Sequence, residues 1–180
     1  MLRPWRRVGS DRLQHCRVFD VDAVRFEPPE GGDPTTFYCL DAPDWVNVIP
    51  VTGAGDVLFV RQYRHGTESF TLEIPGGMCD PDESPRDAAA RELHEETGYV
   101  AGALLDLGFV HPNPALQANR CHTFLARELT ERGQPQPDDH EQFELERVPL
   151  HRVDRLIAEG EITHALVIAA FHLLRTSESR

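Results

Sequence analysis

The chain has no lysine. All 18 basic residues are arginine, and they stand against 30 aspartates and glutamates for a formal net charge of −12 over 180 residues. That excess of acid argues against neutralising a long phosphate backbone, so nucleic acid is not expected as a partner, although a few local arginines still suit a small anion. The four cysteines, Cys16, Cys39, Cys79 and Cys121, form no CxxC pair, which removes a zinc knuckle or a disulfide framework and leaves buried or incidental thiols. The nine histidines show no ligand spacing such as H-E-x-x-H. Long apolar runs are missing too: the longest, Ala165 to Ile168 continuing through His172 to Leu174, is too short to span a bilayer. Met1 to Arg12 carries four arginines and no apolar stretch of a secretory signal, so a cytoplasmic protein with no membrane partner is the expectation. There is no internal repeat or low-complexity tract, and 40% hydrophobic residues suffice for one domain with a full core.

The densest information lies in Gly77 to Tyr99, GMCDPDESPRDAAARELHEETGY. Ser84 is placed to cap a helix, Pro85 fits its first position, Asp87 sits where a capping-box carboxylate reaches back, and Gly98 supplies a left-handed stop. At about 100° per residue, Glu92, Glu95 and Glu96 share one stripe, with Ala89, Ala90 and Leu93 on an adjacent apolar one. Glutamates in the last turn oppose the helix dipole and repel one another unless a cation sits among them. Hard oxygen ligands of this kind suit Mg²⁺ or Mn²⁺ with phosphates completing the shell. A solvated acidic face with Glu-to-Arg pairs accounts for the same spacing, and the helix alone does not separate the two readings.

Gly77, Glu83, Arg91, Glu92, Leu93, Glu95, Glu96 and Gly98 fill the pattern G-x5-E-x7-R-E-U-x-E-E-x-G-U, with U a bulky apolar residue, and the chain resembles the Nudix hydrolases through it. Tyr99, in a slot that is usually aliphatic, is the one departure. Arg61-Gln62-Tyr63-Arg64-His65, Leu72-Glu73-Ile74-Pro75-Gly76-Gly77 and Pro114, 15 residues past Tyr99, are similar to segments of the ADP-ribose pyrophosphatase and nucleoside-diphosphate-sugar hydrolase subgroup. The resemblance implies an α/β fold, a Nudix-type α/β/α sandwich with a mixed sheet, plus N-terminal antiparallel strands. It also implies a metal held by Glu92, Glu96, Glu95 and the Gly76 carbonyl, a homodimer built through the N-terminal strands, and a nucleotide-sugar substrate.

Strands are expected at His15 to Phe26 and Thr35 to Leu40 around a turn at Glu27 to Pro34, and as a hairpin, Trp45 to Val51 with Asp56 to Tyr63, about Thr52-Gly53-Ala54-Gly55. Further strands are expected at Phe70 to Ile74, Leu104 to Val110, His122 to Ala126 and Phe143 to Val148, with helices over about Leu150 to Glu159 and His164 to Arg175. The organisation expected is an N-terminal extension, 1–44, serving dimerisation, and a catalytic domain, 45–180.

Candidate roles divide by chemistry. Arg64 offers a planar fork to two phosphate oxygens, or else a structural salt bridge. Glu73 orients Arg64 or touches the sugar. Glycines at Gly76 and Gly77 let the chain approach an ion closely, and Gly77 and Pro114 count with the substrate contacts. Glu83 and Arg91 are expected to pair and fix the loop against the helix. Glu95 is a candidate base for the attacking water, and the resemblance to the subgroup implies a later-loop glutamate in that role, matched here by Glu141 in Asp138-Asp139-His140-Glu141, with a solvated loop carboxylate the other reading of Glu141. Trp45, Phe19 or Phe37 is a candidate to stack on the base, although strand aromatics usually belong to a core. Asn113, Asn119 and Arg120 are candidates for the sugar, and His94 is expected to be exposed. The activity implied is hydrolysis of the pyrophosphate bond of ADP-ribose or another nucleoside-diphosphate sugar. The alternatives are a Nudix hydrolase of a nucleoside triphosphate, dinucleoside polyphosphate or coenzyme A, and a nucleotide sensor without catalysis.

Overall fold

The structure, a computed structural model, describes residues 1–136 and 142–177. The chain forms two compact units, Met1–Pro43 with His111–Arg120, and Asp44–Val110 with the described residues of Cys121–Arg180.

The first unit is an antiparallel sheet of β1 (Arg6–His15), β2 (Asp20–Glu27) and β3 (Thr35–Asp41), in that order. Its edge strand β1 is absent from the sequence expectation, which ran one strand from His15. Cys16 N–H instead donates to Phe19 O at 3.1 Å and turns the chain before β2 begins. The reason β1 is hidden is that nine of its ten residues are exposed, so no apolar alternation marks it. Charge ties the strands together: Arg12 on β1 donates to Asp22 at 2.6 Å, to Asp41 at 2.8 Å and to Asp20. The later segment joins this unit through Leu40 N–H to Leu116 O at 2.8 Å and Asn119 Nδ2 to Pro43 O at 3.0 Å.

Among its described residues, the second unit holds two sheets and three α-helices. A mixed sheet runs β7 (Gly76–Met78), β4 (Trp45–Pro50), β9 (Cys121–Glu131), β8 (Tyr99–Val110), in which β4 and β9 are parallel and the other pairs antiparallel. A second sheet runs β10 (Phe143–Pro149), β5 (Asp56–Arg64), β6 (Ser69–Glu73), all antiparallel. The hairpin expected of β4 and β5 is therefore corrected. Its turn exists, with Gly55 at φ 85° and its N–H on Thr52 O at 2.9 Å, but the strands share only the bridge Val51 to Val57 before entering different sheets. The near-continuous burial of β4, interrupted in polarity only by Asn47, explains this, because a strand buried on both faces takes a central place with neighbours on each side.

Alternation along β4 and β9 then sorts the layers. Val46, Val48, Phe124 and Ala126 pack with Ala88, Ala89 and Leu93 of α1 (Pro85–Thr97). Ile49 and Leu125 face the other way, into a core with Phe59, Leu72 and Ile74 and with Val167, Ala170, Phe171 and Leu174 of α3 (Ala165–Ser177). Val153, which opens α2 (Val153–Ala158), joins this second core. Helices on both faces of the mixed sheet make an α/β/α sandwich. Among the described residues, no helix is long and apolar enough to cross a membrane.

Candidate active site

Helix α1 is set by its ends. Ser84 Oγ accepts from Asp87 N–H at 3.2 Å and donates to the Asp87 carboxylate at 2.6 Å, Pro85 opens the helix, and Gly98 closes it at φ 75° with its N–H on His94 O at 2.7 Å. No side chain fits at Gly98, where a Cβ would strike the Gly133 carbonyl. The apolar stripe is Ala88, Ala89 and Leu93; Ala90 is exposed and does not belong to it. His94 is not exposed either: it is half-buried, with Nδ1 enclosed and without a hydrogen-bond partner among the described residues.

Arg91 organises the acidic face. Its Nε and Nη2 hold Glu83 at 3.0 and 2.9 Å, its Nη1 reaches Glu92 at 2.8 Å and Glu95 at 3.1 Å, and Nη2 also reaches Met78 O at 3.0 Å. Hydrogen bonds to Arg91 draw the Glu83 carboxyl below its ordinary range, and bonds to Glu83, Glu92 and Glu95 in turn raise the arginine. Part of the positive charge that three clustered glutamates require thus comes from the helix itself.

Glu92 and Glu96 turn toward the glycines. A Cβ at Gly77 would overlap the Glu92 carboxylate, and one at Gly76 would overlap the Val46 carbonyl and crowd Asn47. Glu96 is buried, and its Oε2 accepts from Gly76 N–H at 3.2 Å. Two carboxylates therefore lie against a strand start from which side chains are excluded. Among the described residues, no three His, Cys, Asp or Glu side chains converge as a closed metal cage. The donors present are carboxylates and backbone carbonyls, the hard oxygen set of Mg²⁺ or Mn²⁺, which usually keeps waters or phosphates in its shell, so the residues fit such an ion.

Arg64 and Glu73 stand at opposite ends of the β5–β6 ladder, Arg64 opposite Ser69 and Glu73 opposite Val60, and are joined through their side chains. Nε and Nη2 of Arg64 bond Oε1 and Oε2 of Glu73, both at 2.8 Å, and Thr71 Oγ1 donates to Oε1 at 2.6 Å. Burial pushes the Glu73 carboxyl up, but the bonds and charge of Arg64 prevail and hold it below the ordinary glutamate range. His164, which no sequence spacing singled out, places Nε2 at 3.9 Å from Glu73 Oε2.

The remaining candidates separate. Pro114 and Asn113 are exposed in the His111–Arg120 segment of the first unit, whereas Asn119 is buried there. Phe37 is not a core residue; it is 43% exposed and meets Trp5 and Phe26 edge-on. Phe19 is partly exposed beside its turn, and Trp45 is half-buried opposite Cys121. Glu141 lies outside the described residues. Tyr99 gives its aliphatic slot a polar end, accepting from Arg147 at 2.8 Å and donating to Glu131 at 3.2 Å. Burial pushes the Cys79 thiol up to about 11 and the Cys121 thiol to about 12, so neither is a nucleophile near neutrality.

A capped acidic helix laid over a glycine turn on a mixed sheet defines a class, and residues 43–171 match the NUDIX domain: the chain belongs to the Nudix family. It is 33% identical over 175 residues to the ADP-ribose pyrophosphatase of Bacillus subtilis (strain 168), covering 97% of this chain and 94% of that protein. The methanol dehydrogenase activator of Bacillus methanolicus is 30% identical over 175 residues, with the same coverage. A crystal structure of ADP compounds hydrolase superposes with a TM-score of 0.86 at 26% identity, covering 98% of this chain and 95% of that one.

Proposed function

We propose that this Nudix protein hydrolyses the pyrophosphate bond of ADP-ribose or a related nucleoside-diphosphate sugar, giving a nucleoside monophosphate and a sugar phosphate. The observation that carries the reading is the cradle of Glu92 and Glu96 against Gly76 and Gly77. The activities by which the Bacillus subtilis relative and the structural neighbour are named support the substrate class.

Glu92 and Glu96, with Glu95 and the Gly76 carbonyl, would hold Mg²⁺ or Mn²⁺. Bound there, a divalent cation offsets the charge of the diphosphate and lowers the pKa of a water. The chain's own residues do the rest. Arg91 and Glu83 keep the acidic ridge in place. Arg64 presents its guanidinium to a phosphate in a plane fixed by the bidentate grip of Glu73. Gly77 leaves the space that the Glu92 carboxylate occupies. Glu95 or Glu141 takes the proton of the attacking water.

The assembly proposed is a homodimer formed through the N-terminal extension, 1–44, alongside the catalytic domain, 45–180, working in the cytoplasm. Exposed Trp5, Val8, Leu13, Phe37 and Tyr38 support it, since apolar area of this kind on a small sheet favours a second copy.

Incubation with ADP-ribose, ADP-glucose and GDP-mannose, added Mg²⁺ and a coupled phosphatase tests the reading. Release of phosphate from at least one is expected. Glu96→Gln is expected to lower turnover by roughly 100-fold or more with the melting temperature retained; wild-type turnover in that variant would refute the role of Glu96.

A further inference from the structure

The β5–β6 ladder pairs Arg64 with Ser69, Gln62 with Thr71 and Val60 with Glu73. Alternate residues of a strand share a face, so the Arg64 side chain passes the Gln62–Thr71 pair before its Nε and Nη2 reach the two oxygens of Glu73. Thr71 is buried, and its single hydroxyl proton has two acceptors to choose between, Glu73 Oε1 at 2.6 Å and Gln62 O at 3.5 Å. The shorter distance is that of a bond to an ionised acceptor and the longer lies at the limit of a hydrogen bond, so the proton goes to Glu73. Burial pushes the Glu73 carboxyl up, but Arg64 and, after it, Thr71 hold it below the ordinary glutamate range, which keeps it an acceptor at neutral pH.

A carboxylate turns easily about its last torsion, whose profile is broad. The bond from Arg64 does not by itself stop that rotation, because the arginine has a long stem, its side chain is 45% exposed, and the guanidinium can swing with its partner. Thr71 can stop it. Its β-branched stem is stiff, and its hydroxyl reaches Oε1 from within β6, the strand that carries Glu73, whereas Arg64 comes from β5. We propose that Thr71 is a positioning residue for the phosphate clamp: by donating to Glu73 Oε1 it fixes the plane of the carboxylate, and with it the plane in which Arg64 meets a diphosphate. The proposal rests on the reading of Arg64 as the clamp. Thr71 touches no substrate and acts through Glu73 alone.

Steady-state kinetics on ADP-ribose with Mg²⁺ compare wild type with Thr71→Val, which keeps the branched shape and removes the donor, and with Thr71→Ser, which keeps the donor and removes the methyl. A clamp that grips the diphosphate equally in ground and transition states acts on KM. Thr71→Val is expected to raise KM roughly three- to tenfold with kcat within about twofold of wild type, as for loss of one bond to a charged group, and Thr71→Ser to restore the wild-type KM. In an Arg64→Lys background, where a round ammonium has no plane to fix, Thr71→Val should add less than about twofold. An unchanged KM in Thr71→Val, a loss carried by kcat, a defect that follows the methyl, or effects that multiply in full with Arg64→Lys overturns the proposal. A second arm needs no turnover: the Arg64 Nε–H resonance, identified by its loss in Arg64→Lys, is followed by NMR for exchange with water. Exchange should quicken at least about threefold in Thr71→Val and keep the wild-type rate in Thr71→Ser, and equal rates in wild type and Thr71→Val overturn the proposal. Thr71→Ala replaces Thr71→Val in both arms if the valine variant does not fold. Failure to cleave any nucleotide sugar would count against the function assigned above, while the NMR arm would still decide the role of Thr71.

Discussion

The two units of the chain meet water in opposite ways. In the second, β4 and the first half of β9, through Ala126, are largely buried and two apolar cores flank them; Val48, Ile49, Val57, Phe59 and Leu93 are wholly enclosed. In the first, Ala23, Val24 and Asn119 are the buried residues, while Trp5, Leu13, Phe37 and Tyr38 remain exposed and the side-chain links added to the backbone ladders include the ion pairs of Arg12 with its aspartates. Exposed ion pairs add little stability, and a sheet gains most by covering an apolar face. The sandwich therefore carries its own stability, whereas the three-stranded sheet leaves apolar side chains uncovered.

Substitutions that treat the units differently sharpen this contrast. Phe59→Ala empties a site where the ring stacks on Phe171 at 5.8 Å, and should destabilise by about 3–5 kcal/mol in urea unfolding; a cost near zero would mean that the sandwich core is not the source of stability. Gly77→Ala drives a methyl into the Glu92 carboxylate and is expected to cut kcat roughly 100-fold with little change in melting temperature, because displacement by about 1 Å suffices for such a loss. Phe37→Asp should leave the sandwich melting unchanged yet convert a dimer into monomers in light scattering, and a dimer that persists would redirect the assembly to another face. The smallest effect concerns acid. Glu73 has a folded-state pKa below its unfolded value, so it stabilises fully above the unfolded value, about 4.3, and that contribution is lost as pH falls through the folded one. Glu73→Gln should accordingly flatten the acid limb of stability relative to wild type.

Local chemistry was the most legible part of the sequence. Ser84, Pro85 and Gly98 mark a helix whose ends match because each cap satisfies backbone groups within a few residues. The spacing of Glu83 and Arg91, drawn from the family pattern, likewise corresponds to a direct pair. What stayed hidden depends on partners far along the chain. The turn at Thr52 to Gly55 is local, but which sheet each flanking strand enters is decided by β9 and β10, more than 70 residues later. Strand β1 carries no apolar face to announce it, and Ala88 takes the place expected for Ala90 because the helix is rotated onto Val46 and Phe124. Repulsion among the glutamates points in the sequence to an external cation, while Arg91, one turn before Glu95, already meets part of that need. His164 gave no signal, since the carboxylate it approaches lies 91 positions earlier.

Every arm of the Arg91 guanidinium is engaged by the protein: Nε and Nη2 by Glu83, Nη1 by Glu92 and Glu95, and Nη2 again by Met78 O. Such saturation makes it a fastener instead of a reagent. The acidic side chains are spaced before any guest arrives, so little rotamer freedom remains to be surrendered on binding. Lysine, with one round ammonium in place of a flat five-donor fork, could not clasp loop and helix together in this way.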